Sequence, residues 1–217
     1  MTWGTVACSI RGDWATTPKL DPCFSGDRRG LDCTHVPYTA VDRAWGGTTS
    51  IEVYVKYDSF NEYSCVFGFG NGADSDNVYL SNHETTSTID WTVYQGSADE
   101  YTLASNFDSS TWTHVITTVS GTTMKTYKDG VLADTKADGW EPDVLTRTQH
   151  MLGKSPSGDF FHGTLSFVKL WHGVELSGSD VSTIYDSLPF VCPAGKYNPS
   201  DGKTVDSCLD CSIGTYS

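Results

Sequence analysis

Apolar and polar residues alternate in several segments of the 217-residue chain with the two-residue period of β-strands. The clearest stretch runs from Trp112 to Thr135, where runs rich in Val, Ile, Thr and Tyr surround the dipeptides Ser120-Gly121 and Asp129-Gly130. Because glycine accepts a positive φ without a Cβ clash, both dipeptides suit tight hairpin turns. The pattern predicts an antiparallel meander of three consecutive strands.

Other segments carry the same signal over shorter lengths. Ile51, Val53 and Val55 alternate with Glu52, Tyr54 and Lys56, which is typical of a half-buried strand. Further strands are predicted, in chain order, at residues 65–69, 78–80, 89–94, 101–104, 150–153 and 160–171.

The two ends of the chain follow different patterns. Residues 1–44 contain scattered proline and glycine, which break long elements, so only edge strands are predicted there, at 2–10 and 36–41. Towards the other end, Ser177 is placed to cap a short helix over residues 180–186.

Four segments occur in an order that matches one family. They are Ser50–Lys56, the pair Val66–Gly70 and Asn77–Leu80, the meander with its Trp-x-His and Tyr-x-Asp-Gly-Val motifs, and Phe161–Trp171 with its trailing helix. Together they resemble the laminin-G-like domains of the concanavalin-A-like jelly-roll superfamily, which includes pentraxin-type domains. They are most similar to modules of large extracellular proteins of algae and related protists.

The resemblance implies a specific architecture. It predicts an all-β, antiparallel two-sheet jelly-roll sandwich with one short C-terminal helix. The sandwich is expected to cover residues 1–188, with residues 1–44 as its entry segment. It also implies that residues 5–10 pair with residues 165–171.

The acidic composition narrows the expected partners and location. The net charge is −13, whereas nucleic-acid binding depends on clustered Lys and Arg, so nucleic acid is not an expected partner. No run approaches the ~20 apolar residues of a membrane-spanning helix, so membrane insertion is not expected of this segment. The start of the chain lacks a signal peptide's features, yet the cysteine content is typical of secreted proteins. We expect an extracellular or cell-surface piece of a larger protein.

A repeated motif marks the C-terminal end. Cys-x-x-Gly-x-Tyr begins at Cys192 and again at Cys211. It resembles ephrin-receptor-like cysteine-rich repeats, and this resemblance implies that Cys192 pairs with Cys208 and that Cys211 pairs with a cysteine beyond the chain. Residues 189–217 would then be a small disulfide-rich appendage, incomplete at its C-terminus. The alternative is a zinc site at Cys208-x-x-Cys211, which lacks the second close pair that a zinc ribbon needs.

The remaining cysteines lie near or within the entry segment. Cys8, Cys23, Cys33 and Cys65 allow three pairings, and the sequence leaves all three open. We favour Cys8 with Cys33 and Cys23 with Cys65.

An acidic loop at residues 71–77 is the strongest candidate for a binding site. In many laminin-G-like domains a rim loop at this place supplies oxygen ligands to Ca²⁺, and the resemblance assigns this role to Asp74, Asp76 and Asn77. Asp159, in a later loop, would supply a further oxygen. The alternative is a polar turn, because Asp, Asn and Gly are common turn formers. No cofactor other than Ca²⁺ is expected.

Catalytic motifs are missing from the sequence. Glucan hydrolases of the same superfamily carry Glu-x-Asp-x-x-Glu on one strand, whereas the strand with Glu52 has no second carboxylate until Asp58. His114 lies beside an expected core tryptophan, which favours a structural histidine over a catalytic base. We therefore predict that the protein is not an enzyme.

Three functions remain open, and the predicted tandem stalk together with the lack of catalytic spacing favours the first. The first is adhesion or assembly, in which the sandwich binds protein neighbours in an extracellular structure. The second is calcium-dependent, lectin-like binding of glycans through the concave face or the rim loops, with Trp140 as a candidate for stacking on a sugar ring. Large aromatic side chains are more often buried, which is the alternative for Trp140. The third function is that of a glycan hydrolase relative.

Overall fold

The computed structural model describes residues 6–12, 44–72, 75–157, 159–188, 196–197 and 209–210, with side chains in the three longest ranges. They form two large antiparallel sheets. Sheet A contains, in spatial order, β1 (Val6–Gly12), β11 (Gly163–His172), β2 (Thr49–Tyr57), β7 (Trp112–Ser120), β8 (Thr123–Lys128) and β9 (Val131–Lys136). Sheet B contains, in spatial order, β10 (Gln149–Leu152), β3 (Cys65–Gly70), β4 (Val78–Asn82), β5 (Thr88–Gln95) and β6 (Ala98–Asn106).

The two sheets bury one apolar layer between them, as the alternating pattern predicts. Ile51, Val53 and Val55 project from β2 of sheet A into this core. Leu80 on β4 and Trp91 on β5 project into it from sheet B. Because neighbouring side chains on a strand point to opposite faces, the residues between them form the outer faces of the sandwich. The predicted all-β antiparallel sandwich is confirmed.

The predicted meander is also confirmed, with one shift of a turn. Ser120 pairs with Thr123, so the first turn consists of Gly121 and Thr122 rather than of Ser120 and Gly121. At the second turn Asp129 (φ 49°) and Gly130 (φ 81°) both have positive φ, as a tight two-residue hairpin between right-handed twisted strands requires.

The chain termini agree with the family-based expectation where they are described. β1 pairs antiparallel with β11, with Val6 opposite Val168 and Gly12 opposite Gly163. β11 begins at Gly163, later than the predicted residue 160. The predicted strand at 36–41 lies outside the described residues. So does most of the predicted repeat at 189–217, of which only a paired β12 (Lys196–Tyr197) and β13 (Leu209–Asp210) are described.

Helix α1 (Gly178–Ser187) covers the outer face of sheet A. Its N-cap is Ser177, as predicted, and Asp180 completes a reciprocal capping box. Val181 on the helix packs with Ile116 and Tyr127 of the sheet, so apolar contacts cover this part of the face. No helix in the described ranges has both the length and the apolar character needed to cross a membrane.

A buried polar group also lies on this face of sheet A. His114 on β7 and Glu52 on β2 are both fully buried, and His114 Nε2 lies 3.0 Å from Glu52 Oε1. The ammonium of Lys169 donates a 3.1 Å hydrogen bond to the other oxygen of Glu52. A histidine held in this way is structural, as the sequence indicated.

A buried arginine joins three loops at one end of the sandwich. The Arg147 guanidinium donates to the carbonyl oxygens of Asp76 (2.7 Å), Trp45 (2.8 Å) and Asp143 (3.2 Å). Its central carbon lies 4.4 Å from the centre of the Trp45 ring. Burial lowers the pKa of Arg147 to about 10, which still leaves it charged at neutral pH. The side chain is a cationic bridge between loops that are far apart in sequence.

Replacing this bridge is expected to be costly. Arg147→Met keeps much of the apolar stem but removes the donor from three carbonyl oxygens that are buried or partly buried, so we expect a loss of about 3 kcal/mol in the free energy of unfolding. Urea denaturation measures this loss. Val144→Ala is the control, because Val144 lies in the same loop and is 67% exposed; its change should stay within about 0.5 kcal/mol. A similar, small effect for both variants would contradict the bridging role.

Candidate functional site

The outer face of sheet B is not covered by any other described element, and it forms the wall of a groove of about 340 Å³. Tyrosine and aspartate side chains line it from the strands, including Tyr79, Asp90 and Tyr101. The loops after β4 and β10 add His83 and Asp159. A sheet face that buried apolar area against another layer would carry aliphatic side chains instead, so this surface is built to meet solvent or a polar ligand.

Strand register brings the groove residues together. Tyr79 on β4 lies opposite Thr92 on β5, and Thr92 lies opposite Tyr101 on β6. These three side chains form one row across the sheet. Ser81 and Asp90 form the start of the next row, two residues along each strand. The groove is therefore a product of three consecutive antiparallel strands.

Aromatic rings form two groups in the groove. The rings of Tyr79 and Tyr94 meet edge to face with centres 5.5 Å apart. The His83 ring stacks on Tyr101 at 6.3 Å and meets Tyr63 edge-on at 5.8 Å. Tyr101 is 44% exposed and Tyr63 is 37% exposed. Both side chains thus present an accessible ring that is already held by a neighbour.

Asp90 is the most strongly held carboxylate of the groove. One of its oxygens lies 2.9 Å from His83 Nδ1, and the other accepts a 2.8 Å hydrogen bond from the Thr92 hydroxyl. Burial raises the pKa of Asp90, and the hydrogen bonds from His83 and Thr92 act in the opposite direction. The two contacts fix the carboxylate in one orientation.

Asp159 and Cys65 lie in the same groove. The Ser155 hydroxyl donates a 2.9 Å hydrogen bond to Asp159, which orients this carboxylate. Cys65 is buried, and its thiol donates to the Phe67 carbonyl oxygen at 3.0 Å. Burial, together with the charges of Asp159 and Asp90, raises the pKa of the Cys65 thiol well above its usual value. The thiol is therefore neutral at physiological pH.

Cys65 is a free thiol in the described structure. This gives no support to the predicted Cys23–Cys65 disulfide, although Cys23 itself lies outside the described residues. The pairings of Cys8 with Cys33 and of Cys192 with Cys208, and the external partner of Cys211, also involve side chains that are not described, and they remain predictions.

The predicted calcium residues use their polar atoms in different ways. Asn77 is buried, and its amide nitrogen donates to the Gly72 carbonyl (2.7 Å) and to the Tyr79 hydroxyl (2.6 Å). Asp76 accepts a 2.8 Å hydrogen bond from the Gly96 amide. Within the described residues, no three His, Cys, Asp or Glu side chains form a group suited to a metal ion. Asp76 and Asn77 therefore already have hydrogen-bond partners within the protein.

The remaining two predicted calcium residues are Asp159 and Asp74. Asp159 lies in the groove, as described above, and Asp74 lies outside the described residues. The groove and the acidic loop are linked by Tyr79, whose hydroxyl contacts both Asn77 (2.6 Å) and Ser157 (3.3 Å). Calcium binding by these residues remains a prediction.

Trp140, the predicted stacking residue, is partly buried and does not line the groove. Sequence reasoning missed the tyrosines that do. A signal was present on β5, where Asp90, Thr92 and Tyr94 form a polar face opposite the apolar Ile89, Trp91 and Val93. Alternation reveals such a face, but it does not reveal which residues of other strands stand beside it.

Solved structures with this fold include modules of carbohydrate-active proteins. The CBM40 of the Ruminococcus gnavus IT-sialidase, bound to alpha2,3 sialyllactose, aligns over 84% of this chain and 97% of its own with 14% identity and a TM-score of 0.60. Domain 4 of AbnA, a GH43 extracellular arabinanase from Geobacillus stearothermophilus in complex with arabinotriose, aligns over 65% and 68% with 17% identity and a TM-score of 0.55.

A pentraxin has the same fold. The heptameric SAP-like pentraxin from Limulus polyphemus aligns over 66% of this chain and 72% of its own, with 16% identity and a TM-score of 0.50. Identities at this level establish the shared fold alone. No curated protein matches the sequence.

The family assignment comes from the sequence itself. Residues 34–182, more than half of the chain, match the laminin G family model described as the concanavalin A-like lectin/glucanases superfamily. The matched segment contains both sheets except β1, and it reaches into α1. The chain therefore belongs to the concanavalin A-like lectin/glucanases superfamily.

Proposed function

We propose that this chain is an extracellular, non-catalytic carbohydrate-binding module that holds a glycan in the groove on the outer face of sheet B. The observation that supports this most directly is the combination of exposed tyrosine rings with oriented carboxylates on an open sheet face. A sugar ring has apolar C–H faces and a rim of hydroxyls. Tyrosine rings pack against the C–H faces, and ionised carboxylates accept hydrogen bonds from the hydroxyls.

The dimensions of the groove suit a short segment of a glycan. Its volume of about 340 Å³ lies at the low end of the range of roughly 300–1,000 Å³ that is usual for small-ligand sites. Asp90 and Asp159 are held by His83, Thr92 and Ser155 before any ligand arrives. Binding to preoriented groups costs less conformational entropy, which favours affinity.

Glycan binding also has support from the structural neighbours. One is a CBM40 bound to sialyllactose, and another is a domain of an arabinanase in complex with arabinotriose. A segment that makes up 26% of a sialidase chain shares the fold as well, so the proposal of a non-catalytic module is tested by incubating the protein with any glycan that it binds. Release of shorter saccharides would contradict it.

Adhesion or assembly, which the sequence placed first, takes second place. That role was argued from the cysteine-rich repeat at 189–217, most of which lies outside the described residues. A module that binds glycans on neighbouring molecules would itself contribute to adhesion, so the two functions are compatible.

The exposed tyrosines provide the first test. A glycan array identifies a ligand, and calorimetry then compares variants. Tyr101→Ala removes the most exposed ring of the groove, and we expect at least a tenfold loss of affinity, equivalent to about 1.4 kcal/mol. Tyr101→Phe keeps the ring and should retain most of the affinity.

Trp140→Ala is the matched control, because Trp140 lies outside the groove. It should leave affinity unchanged. An array without any bound glycan, or equal affinity of the wild type and Tyr101→Ala, would contradict the proposed site.

Asp90 predicts a pH dependence of binding. Burial raises the pKa of Asp90 above the ordinary value of an aspartate, so Asp90 takes up a proton at a higher pH than an exposed aspartate. The protonated acid accepts fewer hydrogen bonds from sugar hydroxyls. We expect full affinity at neutral pH and a loss as the pH falls towards the raised pKa, measured by calorimetry in a series of buffers.

Asp90→Asn serves as the control for this titration. It should bind weakly at all pH values with a flatter profile. The raised pKa means that the ionised form of Asp90 destabilises the folded protein at neutral pH. Replacing it by an uncharged residue removes this destabilisation. Weak binding by Asp90→Asn would therefore not be explained by unfolding. An unchanged pH profile in Asp90→Asn would assign the titration to another group.

Calcium binding at Asp74, Asp76, Asn77 and Asp159 has a direct test. Ca²⁺ at 100 times its Kd would add about 2.7 kcal/mol to the free energy of unfolding and would raise the melting temperature. The rise should disappear with a chelator and in Asp159→Asn. An unchanged melting temperature in millimolar Ca²⁺ would contradict the predicted calcium site. Arg147 would then be the cation that holds these loops together.

A further inference from the structure

The described side chains that line the groove are predominantly acidic. Three carboxylates line it, those of Asp90, Asp99 and Asp159. Among the lining residues that the structure describes there is no lysine or arginine. His83 is the one basic side chain in that set, and its Nδ1 atom already contacts Asp90 at 2.9 Å. A ligand in this groove therefore meets negative charge without a cationic counterpart.

Four described cationic side chains of the sandwich are engaged elsewhere. Arg147 bonds to three carbonyl oxygens. Lys125 pairs with Glu175. Lys136 pairs with Glu100 and Asp138, and Lys169 pairs with Glu52. None of these four basic side chains lines the groove.

The field of the carboxylates acts on groups already in the groove. The charges of Asp159 and Asp90 both raise the pKa of the Cys65 thiol, in addition to the larger effect of burial. The charge of Asp99 also raises the pKa of Asp90. In each case the field disfavours a further negative charge, because like charges repel most where water is partly excluded. An anionic group on a ligand would meet the same penalty.

We infer that the groove selects saccharides without carboxylate, sulfate or phosphate groups and rejects acidic sugars such as sialic acid. This inference rests on the proposed function and specifies its ligand class. Uncharged hydroxyls donate to the three carboxylates, whereas an acidic sugar adds a fourth negative charge among them. The Ruminococcus gnavus module binds sialyllactose, but its ligand cannot be assigned to this chain, because an identity of 14% establishes a shared fold and not a shared binding site.

An array of matched glycan pairs tests the inference. The two members of each pair differ by one acidic group, as lactose and 3′-sialyllactose do. We expect the neutral member of a bound pair to have at least tenfold higher affinity than the acidic one. Equal or stronger binding of the acidic members would overturn the inference and leave the proposed function standing. Binding of neither class would overturn the proposed function itself, and the inference with it.

Charge neutralisation identifies the source of the selectivity. Asp99 is exposed on β6, so Asp99→Asn is expected to fold normally and to reduce the neutral-to-acidic affinity ratio severalfold. Asp186→Asn is the matched control, because Asp186 is equally exposed but lies on α1 at the opposite side of the sandwich. It should leave the ratio unchanged. An identical ratio in Asp99→Asn and the wild type would show that the groove carboxylates do not set the selectivity.

Salt provides an independent measurement on the unmodified protein. The Debye length falls from about 10 Å at 0.1 M salt to about 3 Å at 1 M. If repulsion by the carboxylates excludes acidic sugars, the affinity ratio should decrease at high salt, and the affinity for neutral glycans should change little. A ratio independent of salt would contradict an electrostatic origin.

Discussion

The surface chemistry of the sandwich depends on a difference between its two outer faces: a helix packs on one, and the other carries polar and aromatic side chains. Sheet A is covered on its outer face by α1, where Val181 packs on Ile116 and Tyr127. Within the described part of the chain no helix packs on the outer face of sheet B, which carries tyrosines and aspartates. Because the inner faces are already used for the core, a ligand can reach the sheets only from their outer faces, and the groove lies on the outer face of sheet B.

Polar groups in the loops next to the groove stabilise the outer face of sheet B. Arg147 joins the loop at Asp76 to Trp45 and Asp143 through carbonyl oxygens. The same rim continues through Asn77 to the hydroxyl of Tyr79, which lines the groove. The groove is thus attached to a rim whose backbone is held by a buried cation. Removing one partner of such a group leaves others unsatisfied, which makes these contacts costly to lose.

The carboxylates of the groove are held in fixed orientations by hydrogen bonds. Asp90 has both oxygens engaged, by His83 and by Thr92, and Asp159 is engaged by Ser155. Groups fixed in this way accept hydrogen bonds from a ligand with little reorganisation. Their shared negative charge then distinguishes among ligands of similar shape, because complementarity of charge contributes more to specificity than to affinity.

Features set by neighbouring residues were determined by the sequence alone. Alternation located the strands, glycines located the hairpin turns, and Ser177 located the start of α1, since each depends on residues a few positions apart. The groove was decided by the tertiary structure, because Tyr79, Thr92 and Tyr101 become neighbours only through the register of three strands. Arg147 was equally hidden, since its partners are carbonyl oxygens, which every residue possesses and no side-chain pattern reveals.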